Sequence, residues 1–380
     1  MSKVQLYVGT RKGALIYTSD AAREKWQVGP LHFKAWSVMH MMRDGRDGRL
    51  HVSASHGVFG PSTHYSDDLG ATWTQAEKPP ALERPSASGR PPSTVDEAFN
   101  PGSFEDKPEK MIQTWIIKPG IEDGVLYAGA QPASLFKSTD RGQTWAINEA
   151  FYDHPHRALM FPGAGGFAMH TLIPHPTDPQ QMWVAVSAGG CYYTSDGGQT
   201  WSPRNKNVRA SFTGEPEPPE FGQCVHKMVM HPSNPSRLYQ QNHEGMYRSD
   251  DGGLNWIDIG TGKLPTQFGF PIAVHPHQPD TIYLAPEESD QYRVSIDGKF
   301  VIWRSRDAGE TWEALTNGLP AHAHLVVLRG AMATDTLEDA GVYVGTSTGQ
   351  IFHTRDNGDS WSLLADFLPP IYSLETAVVD

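Results

Sequence analysis

An eight-residue pattern, Ser-x-Asp-x-Gly-x-Thr-Trp with small polar variants, recurs six times along the chain and narrows it to repeat architectures. Three copies read Ser66-Asp68-Gly70-Thr72-Trp73, Ser138-Asp140-Gly142-Thr144-Trp145 and Thr194-Asp196-Gly198-Thr200-Trp201. The others are Ser249-Asp251-Gly253-Asn255-Trp256, Ser305-Asp307-Gly309-Thr311-Trp312 and Thr354-Asp356-Gly358-Ser360-Trp361. A worn seventh copy lies at Thr18-Asp20, with Trp26 one residue late. Steps between the tryptophans are 47, 72, 56, 55, 56 and 49 residues, the spacing of propeller blades rather than of independent domains.

Each repeat has the same grammar. In the third, an apolar run (171–174) meets a turn at His175-Pro176. A β-rich run (182–187), a Gly189-Gly190 turn and a further run (191–194) follow, and Trp201 opens a last strand. Short β-branched and aromatic runs between Gly, Pro and Asp turns predict a four-stranded antiparallel sheet. Seven such sheets repeated radially predict an all-β, seven-bladed β-propeller over residues 1–380. Runs 4–8, 14–17 and 26–28 supply only three strands, so the last sheet is expected to take its innermost strand from 372–379 and leave no open edge. A Pro- and Ser-rich insertion at 74–112 accounts for the long second step, either as a lid or as a mobile segment.

In the repeated turn, Asp accepts backbone N–H groups, Gly supplies positive φ and Trp fills space between blades, so each copy reads as structural. These boxes resemble the BNR, or Asp-box, repeat family. That family includes sialidases, xyloglucan hydrolases, sortilin-type receptors and photosystem II assembly propellers. The resemblance spans almost the whole chain and implies the propeller fold. A sialidase would be expected to carry Arg-Ile-Pro near its start, where this chain has Arg11-Lys12-Gly13. Its plan looks more like the assembly propellers or a glycosyl-hydrolase-like subgroup.

Charge excludes some partners. The 43 acidic residues outnumber 31 basic ones for a net charge of −12, which disfavours nucleic acid and anionic membranes. There is no run of 18 apolar residues and no signal-peptide pattern, and the two cysteines lie in different repeats, so a reduced cytoplasmic setting is expected.

The repeat register predicts where chemistry converges. Five residues before the turn positions His175, His231, His275 and Arg329 stand His170, His226, Phe270 and His324. The second repeat offers Gln113, and Asp380 taken as a turn residue would give Glu375. Four residues after the aromatics Tyr7, Tyr127, Tyr239 and Tyr283 come Arg11, Gln131, His243 and Glu287. The two sets are expected to meet at one channel mouth. His170, His226, His243 and His324 are candidate ligands for a divalent transition metal, since neutral imidazoles suit such ions. Glu287 and Glu375 are candidate catalytic carboxyls. Arg11, Lys12, Gln131, Arg157 and Arg209 are candidate substrate-binding residues, the last two from long loops. His175, His231 and His275 read as turn residues before proline, and Cys224 as a small buried hydrophobe.

The functional expectation is a metal-assisted hydrolase or lyase acting on a small polar or carbohydrate-like ligand. Two alternatives remain open at this point: a non-catalytic propeller that holds a protein partner, and a metal-independent glycosidase with paired carboxylates.

Overall fold

A computed structural model describes residues 2–82, 92, 94–100, 109–214 and 218–379. The protein is a seven-bladed β-propeller of four-stranded antiparallel sheets. In the third sheet the strands are Met169–Pro174, Met182–Val186, Gly190–Thr194 and Ser202–Pro203, paired in that order. The last sheet joins both ends of the chain. Strand Ile371–Val379 pairs with Lys3–Thr10, which pairs with Gly13–Asp20 and then Gln27–Val28. Among the described residues no helix is long and apolar enough to cross a membrane.

Two compact units emerge: residues 1–45 with 226–250 and 257–380, and residues 46–225 with 251–256. The first holds a core that includes Val4, Leu6, Val8, Val342, Val344, Ile351 and Leu374. The second packs Ile116, Leu135, Phe151, Phe167, Val184, Tyr192 and Trp201. Alternation along short strands delivers these side chains to the sheet faces, where burial of apolar area drives packing.

The Asp boxes are the turns between third and fourth strands. In the box at 66–73, Ser66 Oγ donates to Asp68 Oδ1 (2.7 Å) and accepts from Gly70 N (2.9 Å). Asp68 then accepts from the backbone N (2.8 Å) and hydroxyl (2.6 Å) of Thr72. The same set recurs around Asp140, Asp196, Asp307 and Asp356. Gly309 sits at φ +91°, where an added Cβ would stand 2.7 Å from Ile259 Cβ, so this position tolerates glycine alone. Trp312 Nε1 donates to Ile259 O (2.9 Å), which ties one box to the preceding repeat.

Two parts of the expected register differ. Val378 pairs with Val4, one step in from the end of the closing pair, which is where Ile173 meets Trp183 in the third sheet. Val4 therefore occupies the aromatic's place and Tyr7 does not, so counting from Tyr7 overshoots and Arg11 falls in the turn beyond the strand. In the sixth repeat the inner strand is Met332–Thr334 and its turn begins at Asp335, whose N–H bonds Gly341 O as His275 N bonds Thr281 O. Arg329 is therefore not the turn residue, and His324 lies outside the strand register. Asp380 lies outside the described residues, as do 83–91, 93 and 101–108 of the 74–112 insertion. Within the insertion the described parts are strand Thr74–Gln75, the short helix Val95–Phe99 and residues on either side of them.

Candidate active site

A set of polar groups in the first unit gathers around four rings. Strand Val225–Met230 carries His226, which is 2% exposed. The turn after Leu238–Asn242 carries His243, and strand Gly269–Val274 with the residue before it carries Phe268 and Phe270. The ring centroids of His226 and His243 are 5.7 Å apart, and His226 lies 5.2 Å from Phe268 and 4.6 Å from Phe270. His226 Nδ1 is 2.6 Å from Gly269 O. A carbonyl only accepts, so Nδ1 carries a proton. His243 Nε2 stands 3.5 Å from Asp290 Oδ2. Burial lowers the pKa of His243 more than Asp290 raises it, so its neutral form is favoured.

Glu287 follows strand Ile282–Pro286 and is the most unusual group of this set. Its backbone is anchored: its N–H donates to Phe268 O (3.0 Å) and its carbonyl accepts from Thr266 Oγ1 (2.7 Å). Its side chain is 2% exposed, and neither carboxyl oxygen has a hydrogen-bond partner among the described residues. Desolvation pushes its pKa up to about 8, against the opposing pull of Arg293 and Arg329. At neutral pH it is therefore mainly a carboxylic acid, with a proton to donate. Arg293 lies 5.6 Å from the centroids of both Phe268 and Phe270, and Arg329 lies 5.1 Å from that of Phe270. Arg293 Nε also donates to Asp290 O (3.1 Å).

Within the first unit, ligating nitrogens of His226 and His243 lie within 4.8 Å of each other.

The remaining candidates are placed as follows. Glu375 Oε1 is 3.0 Å from His40 Nε2, and Glu375 pairs across the sheet with Tyr7. Arg11 and Lys12 are exposed in the turn between two strands. His324 is exposed beside Gly298. In the second unit His170 is buried at a strand irregularity, its ring nitrogens 3.0 Å from Thr171 Oγ1 and 2.8 Å from Val225 O. Gln131 Oε1 accepts from Gln113 Nε2 (3.1 Å) and Trp115 Nε1 (3.2 Å). Arg157 is 4% exposed, donates to both oxygens of Glu109 (3.1 and 2.9 Å) and stacks on Tyr152, so its guanidinium is engaged inside the fold. Arg209 is exposed. His226, His243 and Glu287 are thus the members that the first unit gathers. Asp290 and Arg293 were not singled out in the sequence, although they lie in the loop after the Glu287 strand, whose length was the available signal.

Residues 192–203, the third box with its flanks, match the BNR/Asp-box repeat family model. With six boxes on seven four-stranded sheets, the assignment follows. The chain is a β-propeller that carries a BNR/Asp-box repeat. Over 212 residues this Asp-box propeller is 24% identical to an oligoxyloglucan-reducing end-specific xyloglucanase of Emericella nidulans, covering 52% of this chain and 24% of that protein. It spans about a quarter of the length of the first xyloglucanases it matches. Among solved structures it resembles a GH74 enzyme of Niastella koreensis, with 14% identity, 97% of this chain and 65% of that chain covered, and a TM-score of 0.54. It also resembles YCF48 from Cyanidioschyzon merolae, with 12% identity, 86% and 84% coverage, and a TM-score of 0.50. These structural likenesses are of fold.

Proposed function

We propose that this protein is a hydrolase of carbohydrate-like substrates, with Glu287 as its general acid. The observation that carries the reading is a buried carboxyl that has no hydrogen-bond partner among the described residues and is held protonated near neutral pH. A general acid is most effective when its pKa lies near the working pH, because it is then both protonated and willing to donate. In the proposed reaction the Glu287 proton goes to the glycosidic oxygen as the bond to the anomeric carbon breaks. Water forms the new bond to that carbon, and Asp290, paired with His243, takes the water's proton. The xyloglucanases that share a quarter of their length with this chain support a glycan as the substrate class.

A metal-assisted form of the same reading is favoured by the convergence of His226 and His243. Two imidazoles would suit a borderline divalent ion such as zinc, with open positions for water. The hydrogen bond from His226 Nδ1 to Gly269 O, and Asp290 beside His243, are the outer contacts that orient ligating imidazoles.

The test is hydrolysis of a panel of aryl glycosides and xyloglucan oligosaccharides by the wild type, Glu287→Gln and His226→Ala, each with its metal content measured. Turnover lost in Glu287→Gln supports the acid role. Turnover and bound metal lost together in His226→Ala support the metal-assisted form. No turnover on any glycan, combined with stable capture of a protein partner, points instead to a binding propeller.

A further inference from the structure

The turn between strands Lys3–Thr10 and Gly13–Asp20, in the first unit, is a meeting point of unpaired cations and strained backbone. Arg11 and Lys12 are exposed in the turn, and Lys34 is exposed in the segment beside it. That segment is tied to the turn by the bond from Ala35 N to Lys12 O (3.2 Å) and by two bonds between Ala14 and His32 (3.0 and 2.9 Å). None of the three cations has an ion pair or a side-chain hydrogen bond among the described residues. Arginines at the Asp-box turns of the same unit behave otherwise. Arg237 pairs with Asp250 and Asp280, Arg248 with Asp250 and Glu310, and Arg306 with Glu313 and Asp359.

On the other side of the turn, Arg11 N donates to Pro370 O (3.0 Å), which brings loop 366–370 against it. Phe367 in that loop is 95% exposed at a φ of +60°. The loop is clamped in this shape. Asp366 Oδ1 accepts from Phe367 N (2.7 Å) and Gln350 Nε2 (2.8 Å), and Leu368 N donates to Gly349 O (3.0 Å). Phe33 and Ala35, flanking Lys34, are left-handed as well, at φ +51° and +70°. A phenyl ring held out in water on a strained backbone gains the folded monomer nothing, and strain of this kind clusters at ligand clamps.

We propose that this face docks an acidic protein segment that carries an aromatic or apolar side chain. Arg11, Lys12 and Lys34 take its carboxylates, Arg11 with a planar fork that matches both oxygens. Phe367 is the apolar anchor that the segment covers. Charge complementarity selects the partner, because unpaired cations on a chain of net charge −12 attract an acidic segment while that same net charge repels a second copy of the chain. The exposed ring favours a polypeptide over a free anion, which has no apolar surface to bury on it. The proposal goes beyond the hydrolase reading and does not use Glu287.

The test is fluorescence anisotropy of the full chain with a labelled peptide of aspartate and glutamate residues around one tryptophan. Its controls are the analogue with serine for the tryptophan and the analogue with lysines for the acids. The acidic tryptophan peptide is expected to bind most tightly, the serine analogue about fivefold more weakly, and the lysine analogue not at all. Affinity should fall as salt is raised. The combined variant Arg11→Gln, Lys12→Gln and Lys34→Gln is expected to bind at least about tenfold more weakly. Phe367→Gly is expected to lose about fivefold in affinity with its melting temperature unchanged or raised, because glycine relieves the left-handed strain. A phenylalanine kept for the fold alone would show the reverse, a lower melting temperature with affinity retained. Glu287→Gln should bind the peptide as the wild type does, so loss of docking and loss of turnover are read separately. Binding of no peptide, equal binding of the acidic and lysine peptides, or unchanged affinity in the combined variant overturns the proposal. Binding of phosphatidylserine vesicles without binding of the peptide overturns it in favour of a lipid surface.

Discussion

The Asp-box turns and the loop after strand Ile282–Pro286 treat a carboxyl group in opposite ways. Asp68 and Asp196 lie at exposed turns, and each accepts a threonine hydroxyl, that threonine's backbone N–H and a hydroxyl from the first box residue. The side-chain bond from Thr72 or Thr200 contributes most, and the pKa falls to about 2. Glu287 is buried, neither of its oxygens has a hydrogen-bond partner among the described residues, and its pKa rises to about 8. A carboxylate with donors on every side is a fixed structural part. One buried with no donor on it remains reactive. The boxes therefore hold the blades, and under the proposed function the loop at Glu287 offers the chemistry.

The most severe test of this division is paired substitution. Glu287→Gln should lower kcat on a cleaved glycoside by about 10²–10⁴-fold, the usual contribution of a general acid, while far-UV circular dichroism stays unchanged. Gly309→Ala should do the opposite. Its Cβ meets Ile259 at 2.7 Å from a left-handed backbone, so denaturant titration should show a loss of about 2 kcal/mol or more, with kcat of the folded protein retained. If both variants lose activity in proportion to stability, the division fails.

Opposite pH slopes sharpen the contrast. The folded pKa of Glu287 lies above its ordinary 4.5, so its protonated form contributes stability that is complete below 4.5 and is lost as pH rises through about 8. Asp196 is lowered from 3.8, so its contribution is complete above 3.8 and is lost as pH falls through about 2. Melting temperatures across this range should show Glu287→Gln flattening the alkaline decline and Asp196→Asn flattening the acid one. The smallest effect is expected at Arg11. Its backbone N–H reaches Pro370 O, a bond any residue but proline keeps, and its side chain is exposed. Arg11→Ala should change stability by less than about 0.5 kcal/mol in the same denaturant titration.

Much of this was legible in the residues. Repeat spacing and turn chemistry predict the four strands of the third sheet to within a residue or two and the joining of both ends in one sheet. Counting from Tyr239 and Tyr283 reaches His243 and Glu287 because strands Leu238–Asn242 and Ile282–Pro286 keep the common register. The same count misplaces Arg11, because Val4 rather than Tyr7 takes the aromatic's place in a longer strand. It misplaces His324, because the sixth inner strand starts later, at Met332. Arg157 showed its charge but not its partner, Glu109, which lies 48 residues away.

The sequence by itself determined the sheets, their order and their turns, since strand alternation, glycine at positive φ and the Asp-centred hydrogen bonds are all interactions among near neighbours in the chain. Only the tertiary structure decided which carboxyl stays protonated and which imidazoles meet. Desolvation and convergence depend on what distant segments bring around a side chain: Phe268, Arg293 and Arg329 around Glu287, and Gly269 and Asp290 at His226 and His243.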